Sequence, residues 1–120
     1  MKPVHWLMEV AITSERACEF NVLVDDLVSA ADRESGTMAC ESNFSDDSRI
    51  CQIYLRFIDA DAAMVHIAMF SDLFIERFLS ICDVRGVVVL GYPDEQVCRA
   101  LKNFNPVVLC QRAGFARFAS

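Results

Sequence analysis

The sequence predicts an α+β domain in which a four-stranded sheet carries helices on one face and meets a second copy of itself with the other. Three observations lead there. Segments with a two-residue apolar period alternate with segments of three- to four-residue period, in the order β-α-β-β-α-β. The last strand segment, Val84 to Leu90, is an almost unbroken apolar run interrupted only by Arg85 and Gly86, as expected of a strand covered on both faces. Apolar residues make up 54% of the 120-residue chain and mean hydropathy is +0.30. That surplus over the roughly 45–50% of an average domain asks for an interface or a ligand groove.

The elements follow in order. Leu7 to Ile12 reads as a first strand, with Trp6, Met8, Val10 and Ile12 alternating against Leu7, Glu9 and Ala11. Thr13-Ser14-Glu15 offers hydroxyls to cap a helix start. The helix predicted over Arg16 to Arg33 carries one stripe, Phe20, Leu23, Val24, Leu27 and Val28, with Glu19, Asp25, Asp26 and Asp32 elsewhere. Ser35-Gly36 ends it, Gly36 suiting a left-handed helix terminus. Thr37 to Phe44 and Arg49 to Phe57 read as a hairpin joined by Ser45-Asp46-Asp47-Ser48. Asp59 caps a helix through Ala60, Ala63 and Ile67, which breaks at Ser71-Asp72 and resumes to Cys82. After the fourth strand, Gly91-Tyr92-Pro93-Asp94 begins an appendix: a helix from Glu95 to Lys102, a Pro106-bounded strand through Cys110, and a final Phe115 to Phe118 segment.

This is one domain over residues 1–120, with a core of about 4–91 and a C-terminal extension of about 92–120. Helices cover only one face of so small a sheet, so apolar central strands call for a partner sheet, and a two-fold homodimer supplies it.

Composition excludes several classes. The net charge is −6 and the pI near 4.7, and the eleven Lys and Arg are scattered, which disfavours nucleic acid and anionic membrane surfaces. No apolar run reaches the 18 residues of a membrane span, and Glu9 arrives too early for a secretory leader. The expected compartment is the cytoplasm. Six widely spaced cysteines without a CxxC pair read as buried free thiols rather than disulfides or a zinc site, so no metal is expected. No glycine-rich phosphate loop and no nucleophile elbow occurs.

With this order in hand, the stretch from about Phe20 to Phe78 resembles the antibiotic biosynthesis monooxygenase family, and weaker agreement at the first and fourth strands extends the likeness to roughly three-quarters of the chain. The marks are Glu34-Ser35-Gly36-Thr37-Met38 leading into strand two, Glu41, Tyr54, Asp59-Ala60-Asp61-Ala62-Ala63 opening a helix, His66, and Ser71, Phe74 and Phe78 after it. The resemblance implies a ferredoxin-like sandwich that pairs into a dimeric α+β barrel. It also implies cofactor-independent oxygenation of a small aromatic or enolic molecule as the activity. Three positions depart from the family: Leu55 and Phe57 replace the glutamate and tryptophan of its Tyr-Glu-x-Trp pattern, here Tyr54-Leu55-Arg56-Phe57, and Cys40 replaces its tyrosine before Glu41. These departures lower the expectation of quinol or haem chemistry.

His66 is the candidate base, since an imidazole exchanges protons near neutral pH. The competing reading has it capping a backbone carbonyl or packing on Phe70. His5 is a second imidazole near the same cleft. Pairing Phe44 with Arg49 places Glu41, Asn43, Gln52, Tyr54 and Arg56 on one face and Met38, Cys40, Phe44, Cys51, Ile53 and Leu55 on the other. Tyr54 and Arg56 then either orient a polar or anionic substrate or bond across a subunit interface. Phe70 and Phe74 are expected to wall the substrate pocket with Trp6, Met69 and Phe78, although aromatic residues at this spacing also build plain core. Arg112 and Arg117 read as solvated or as ties for the appendix. Three functions stay open: the monooxygenase, a proton-transfer isomerase on the same base, and a non-catalytic module that binds a small apolar molecule.

Overall fold

The computed structural model describes residues 2–117. Strands β1 (Val4–Ile12), β2 (Thr37–Phe44), β3 (Ile50–Phe57), β4 (Cys82–Gly91) and β5 (Val107–Cys110) form one sheet in the order β2-β3-β1-β4-β5. The first four pair antiparallel, giving the expected α+β, ferredoxin-like plan. The sheet has five strands rather than four, because the Pro106-bounded segment joins β4 in parallel. A parallel neighbour needs a crossover connection. Helix α4 (Glu95–Ala100) and a 3-10 turn over Lys102–Phe104 provide it.

Strand alternation sorts the sheet into two faces. Val4, Trp6, Met8, Val10 and Ile12 of β1 and Cys51, Ile53, Leu55 and Phe57 of β3 are buried under the helices. Helices α1 (Ala17–Asp32), α2 (Ala60–Leu73) and α3 (Ile75–Ile81) cover that face. The stripe of α1 is Phe20, Leu23, Val24, Leu27 and Ala31; Val28, expected in it, is exposed. Phe20, Phe57 and Phe78 are fully enclosed, and burial of each contributes about 2–3 kcal/mol. The helix-covered face is therefore the one that holds the domain together.

The hairpin register differs from expectation. Phe44 faces Cys51, Glu41 faces Tyr54 and Ala39 faces Arg56. The loop keeps two more residues because the Ser45 N–H donates to the Ile50 carbonyl (2.9 Å) and the Ile50 N–H to the Ser45 hydroxyl (3.0 Å). Ser48 takes the left-handed conformation, φ 60°. A shift of two preserves strand parity, so Glu41, Asn43, Gln52, Tyr54 and Arg56 still share a face. Met38 lies at an irregularity between Thr37 and Ala39 and is exposed.

Helix ends also differ. No side chain caps α1; a 3-10 turn over Ser14–Arg16 leads into it instead. Asp59 does cap α2, accepting from the Ala62 N–H at 2.9 Å. The α2–α3 break falls at Phe74, not at Ser71-Asp72, and α4 ends at Ala100 rather than Lys102. Gly36 is not left-handed. It is required for close approach: a Cβ there would lie 2.5 Å from the Ala62 Cβ. Phe115–Arg117 has no regular structure, and Phe118 lies outside the described residues. The six cysteines are free, as expected; Cys51 and Cys82 are buried, but Cys18 and Cys110 are exposed. Among the described residues, no helix is long and apolar enough to cross a membrane.

Candidate functional site

His66 sits in the second turn of α2, and the Asp59 cap fixes where that helix starts. It shares the sheet-facing side of α2 with the buried Ala63, three residues before it, and is itself 4% exposed. The rings of Phe57 and Trp6 flank it, with centroids 5.2 and 6.4 Å away. Its Nδ1 lies 2.8 Å from Glu34 Oε1, and the Thr37 hydroxyl donates to the same oxygen at 2.8 Å. The His66 and Glu34 side chains are 5% and 10% exposed.

A carboxylate accepts but does not donate, so in the neutral ring Nδ1–H points at Glu34 and Nε2 carries the lone pair. Among the described residues Nε2 has no hydrogen-bond partner. Glu34 Oε2 is buried and likewise unpartnered. The pair is an imidazole held in one tautomer by a buried carboxylate, which also stabilises the ring once it takes a proton. The sequence offered His66 without a carboxylate partner; Glu34 supplies it. The Glu34-x-Gly36-Thr37 run marks a carboxylate and a hydroxyl beside a close-approach glycine, but nothing in it names His66 as the element that arrives there.

His66 contributes to the wall of a cavity of about 70 Å³ between sheet and helices. Trp6, Met8, Leu55 and Phe70 line it, joined by Leu101 and Phe104 from the appendix. Among the described residues its polar lining is His66, Ser71 and Cys40. Burial, then the nearby Glu34 and Glu41 carboxylates, push the Cys40 thiol up to about 11. Cys40 is therefore a neutral thiol near pH 7, not a nucleophile.

The expected site residues divide between two places. Phe70 lines the cavity with His66, as do Trp6 and Phe78. Phe74 does not; it is buried beside Phe70 in the core, ring centroids 6.5 Å apart, and Met69 also packs against the core. Tyr54 and Arg56, expected either to orient a substrate or to bond across a subunit interface, do not line the cavity. They alternate with Leu55, which lines the cavity, so they project from the opposite face of the sheet. There the Tyr54 hydroxyl meets His5 Nδ1 at 3.2 Å and accepts from Arg56 Nη1 at 3.4 Å. Burial, and then the Arg56 guanidinium, lower the His5 pKa from 6.5. Gln52 donates to Glu9 on the same face at 3.0 Å. Arg112 is exposed, and Arg117 stands 4.6 Å over the Phe115 ring. Among the described residues no cluster of three or more His, Cys, Asp or Glu forms a metal site.

No family model and no curated protein matches the chain. Solved structures do. MupZ from Pseudomonas fluorescens superposes with a TM-score of 0.86 at 15% identity, covering 98% of this chain and 96% of its own. A candidate antibiotic biosynthesis monooxygenase from Bacteroides thetaiotaomicron gives 0.64 at 18%, over 78% of this chain and 90% of its own. A protein of unknown function from the same organism, described as a possible oxidoreductase, gives 0.67 at 12%, over 76% and 98%. At these identities the likeness is one of fold.

Proposed function

We propose that the chain is a small-molecule enzyme in which His66, oriented by Glu34, takes a proton from a neutral phenolic or enolic substrate held in the apolar cavity. The observation that carries this is the 2.8 Å contact between His66 Nδ1 and Glu34 Oε1 at the wall of that cavity. Proton abstraction needs a base with a free lone pair, fixed direction and little competing water. Nε2 meets the first need, Glu34 the second and the apolar lining the third.

The reaction class favoured is cofactor-independent oxygenation. It is supported by the sequence resemblance around Glu34-Ser35-Gly36-Thr37 and His66, and by the descriptions of two fold neighbours as a candidate monooxygenase and a possible oxidoreductase. Loss of the hydroxyl proton leaves a phenolate or enolate, whose nucleophilic carbon, still bearing a hydrogen, passes electrons to O₂. A C–O bond then forms as a hydroperoxide, which loses water to leave a carbonyl. One oxygen atom ends in the product and one in water. The same base without oxygen would make an isomerase, and the His66–Glu34 pair supports that second reading equally.

The dimer belongs to the same proposal. Leu7, Val88 and Leu90 lie on the face of the sheet away from the helices, beside Val107 and Leu109, which are 55% and 53% exposed. A second copy applied there would cover them and enclose His5, Tyr54 and Arg56 in a subunit interface.

Oxygen uptake with a panel of phenols and enolisable ketones tests the reading. Consumption by the native chain and its loss in His66→Ala supports oxygenation. Substrate proton exchange into D₂O without oxygen uptake assigns the isomerase. Neither activity, with ligand still bound, leaves a binding module.

A further inference from the structure

The wall of the cavity contributed by Ala100, Leu101 and Phe104 belongs to a segment whose hydrogen bonds to the body, among the described residues, lie only at its ends. Among the described residues, every side-chain hydrogen bond made within 93–106 stays inside the segment. Asp94 accepts from the Val97 N–H at 2.9 Å, and Arg99 donates to Glu95 at 2.6 Å. The backbone ties to the body flank it: Tyr92 N–H to the Pro3 carbonyl (2.9 Å), Gln111 N–H to the Gly91 carbonyl (2.8 Å), and the parallel pairing of β5 with β4. Pro93 and Pro106 bracket the segment and donate no backbone hydrogen bond. Between those ends it rests on apolar packing, chiefly Val97 and Leu101, with α4 lying against α2.

The other walls are more firmly built. β1 is laddered to β3 on one side and β4 on the other. α2 is pinned by the Asp59 cap and by the Gly36–Ala62 contact.

Size decides what this difference means. An apolar cavity of about 150 Å³ accommodates benzene. The pocket here offers about 70 Å³ and is partly open to solvent, so a ring is fully enclosed only if a wall gives way. The lining also limits charge. It holds no Lys, Arg, Asp or Glu, and an ionised carboxylate or phosphate placed there would be desolvated and would face only His66, which Glu34 already pairs.

We infer that α4 and the 3-10 turn after it form a cap that moves outward to admit a neutral, largely apolar ligand, and that Phe104 sets the size of ligand over which the cap closes. This deepens the reading of the cavity as the substrate site and rests on it. Phe104 is half-buried, so its replacement alters the cavity roof without emptying the main core. Asn105, next to it, is left-handed at φ 50°, a point where the chain turns from the cap toward β5.

The test measures binding, not turnover. Trp6 is the only tryptophan of the chain and lines the cavity, so its fluorescence reports occupancy. Cyclohexanone and 1-decalone are neutral probes of one and two rings. Phe104→Ala is expected to shift the affinity ratio about tenfold toward 1-decalone, and Phe104→Trp to shift it toward cyclohexanone. Amide exchange over residues 93–106 is expected to slow when 1-decalone binds. An unchanged ratio in both variants, no change in exchange over that segment, or no binding of either ketone overturns the cap. The ratio shift measured in His66→Ala separates the two proposals: if it persists while the native chain turns over no substrate, the cap stands and the enzymatic reading fails.

Discussion

Gly36 and Ala62 meet with no room for a side chain between them, a Cβ on the glycine falling 2.5 Å from that of the alanine. The contact seats the first turn of α2 against the loop that carries Glu34, and His66 lies one turn further along. Gly36→Ala is therefore expected to push α2 outward. Overpacking of this kind costs about 1–3 kcal/mol, readable as a lower midpoint in urea. Turnover should fall more than ligand affinity does, because the imidazole is displaced from its carboxylate. An unchanged midpoint would mean that the loop yields without strain.

Glu34→Gln keeps the size of the side chain but can present an amide donor to Nδ1. The ring then loses its imposed tautomer and the negative charge that supports its protonated form. Nitrogen NMR of the imidazole is expected to show mixed tautomers where the native chain shows one. Turnover should drop by about 10²–10⁴, the range associated with misdirected general bases. A native spectrum in the variant would remove Glu34 from the mechanism.

Alkaline pH should weaken the fold. Burial raises the thiols of Cys40 and Cys51 from 9.0 to about 11, and that of Cys82 to about 12. Below pH 9 these groups are protonated in both folded and unfolded chains, and their contribution to stability is fully present. From pH 9 toward 11–12 the unfolded chain ionises first, so stability is lost as pH rises. Urea midpoints at pH 8 and 10.5 measure the decline, and Cys51→Ala should make it shallower. An equal decline in the variant would assign the effect to other groups.

The acid side has the opposite sign. The folded pKa of His5 lies below 6.5, so the unfolded chain binds the proton first as pH falls. Stability present above pH 6.5 is lost on descent through the folded value. His5→Gln should flatten the change in midpoint between pH 7 and 5, above the range where carboxylates titrate. A slope identical to the native one would count against it.

The open sheet face supplies a fifth test. Leu90 stands beside Leu109 of β5 and opposite His5 of β1. A charge placed there would be buried unpaired in a sheet-to-sheet dimer. Leu90→Asp is expected to convert a dimer to a monomer in sedimentation at micromolar concentration while leaving the circular dichroism of the domain intact. A native monomer would refute the dimer outright.

Much of the fold was legible because its faces are written in periodicity. β2 is found over Thr37–Phe44, where alternation placed it, and α1 is within one residue of expectation at each end. The hairpin register was not legible, since Ser45 and Ser48 close a longer loop than the turn residues suggested. The sorting of Tyr54 from Leu55 survived that error because parity did. That Tyr54 and Arg56 stand away from the cavity was not legible for a different reason: strand alternation fixes which residues share a face, not which face the helices cover. Glu34 was unreadable as the partner of His66 because 32 residues separate them and only the packing of α2 on Gly36 joins them. Parallel pairing of β5 left no mark in a four-residue strand.

The position of β1 in the middle of the sheet has a bearing on how the chain is made. It is the first of these strands to leave the ribosome, yet its two neighbours are β3 and β4. Both of its backbone edges, and a face bearing Val4, Trp6, Met8 and Val10, stay uncovered until translation has passed position 57, and one edge waits until position 91. A nascent chain halted in that interval presents a bare apolar ribbon to any passing strand, which makes slow translation through the α2 and α3 codons a hazard for this domain.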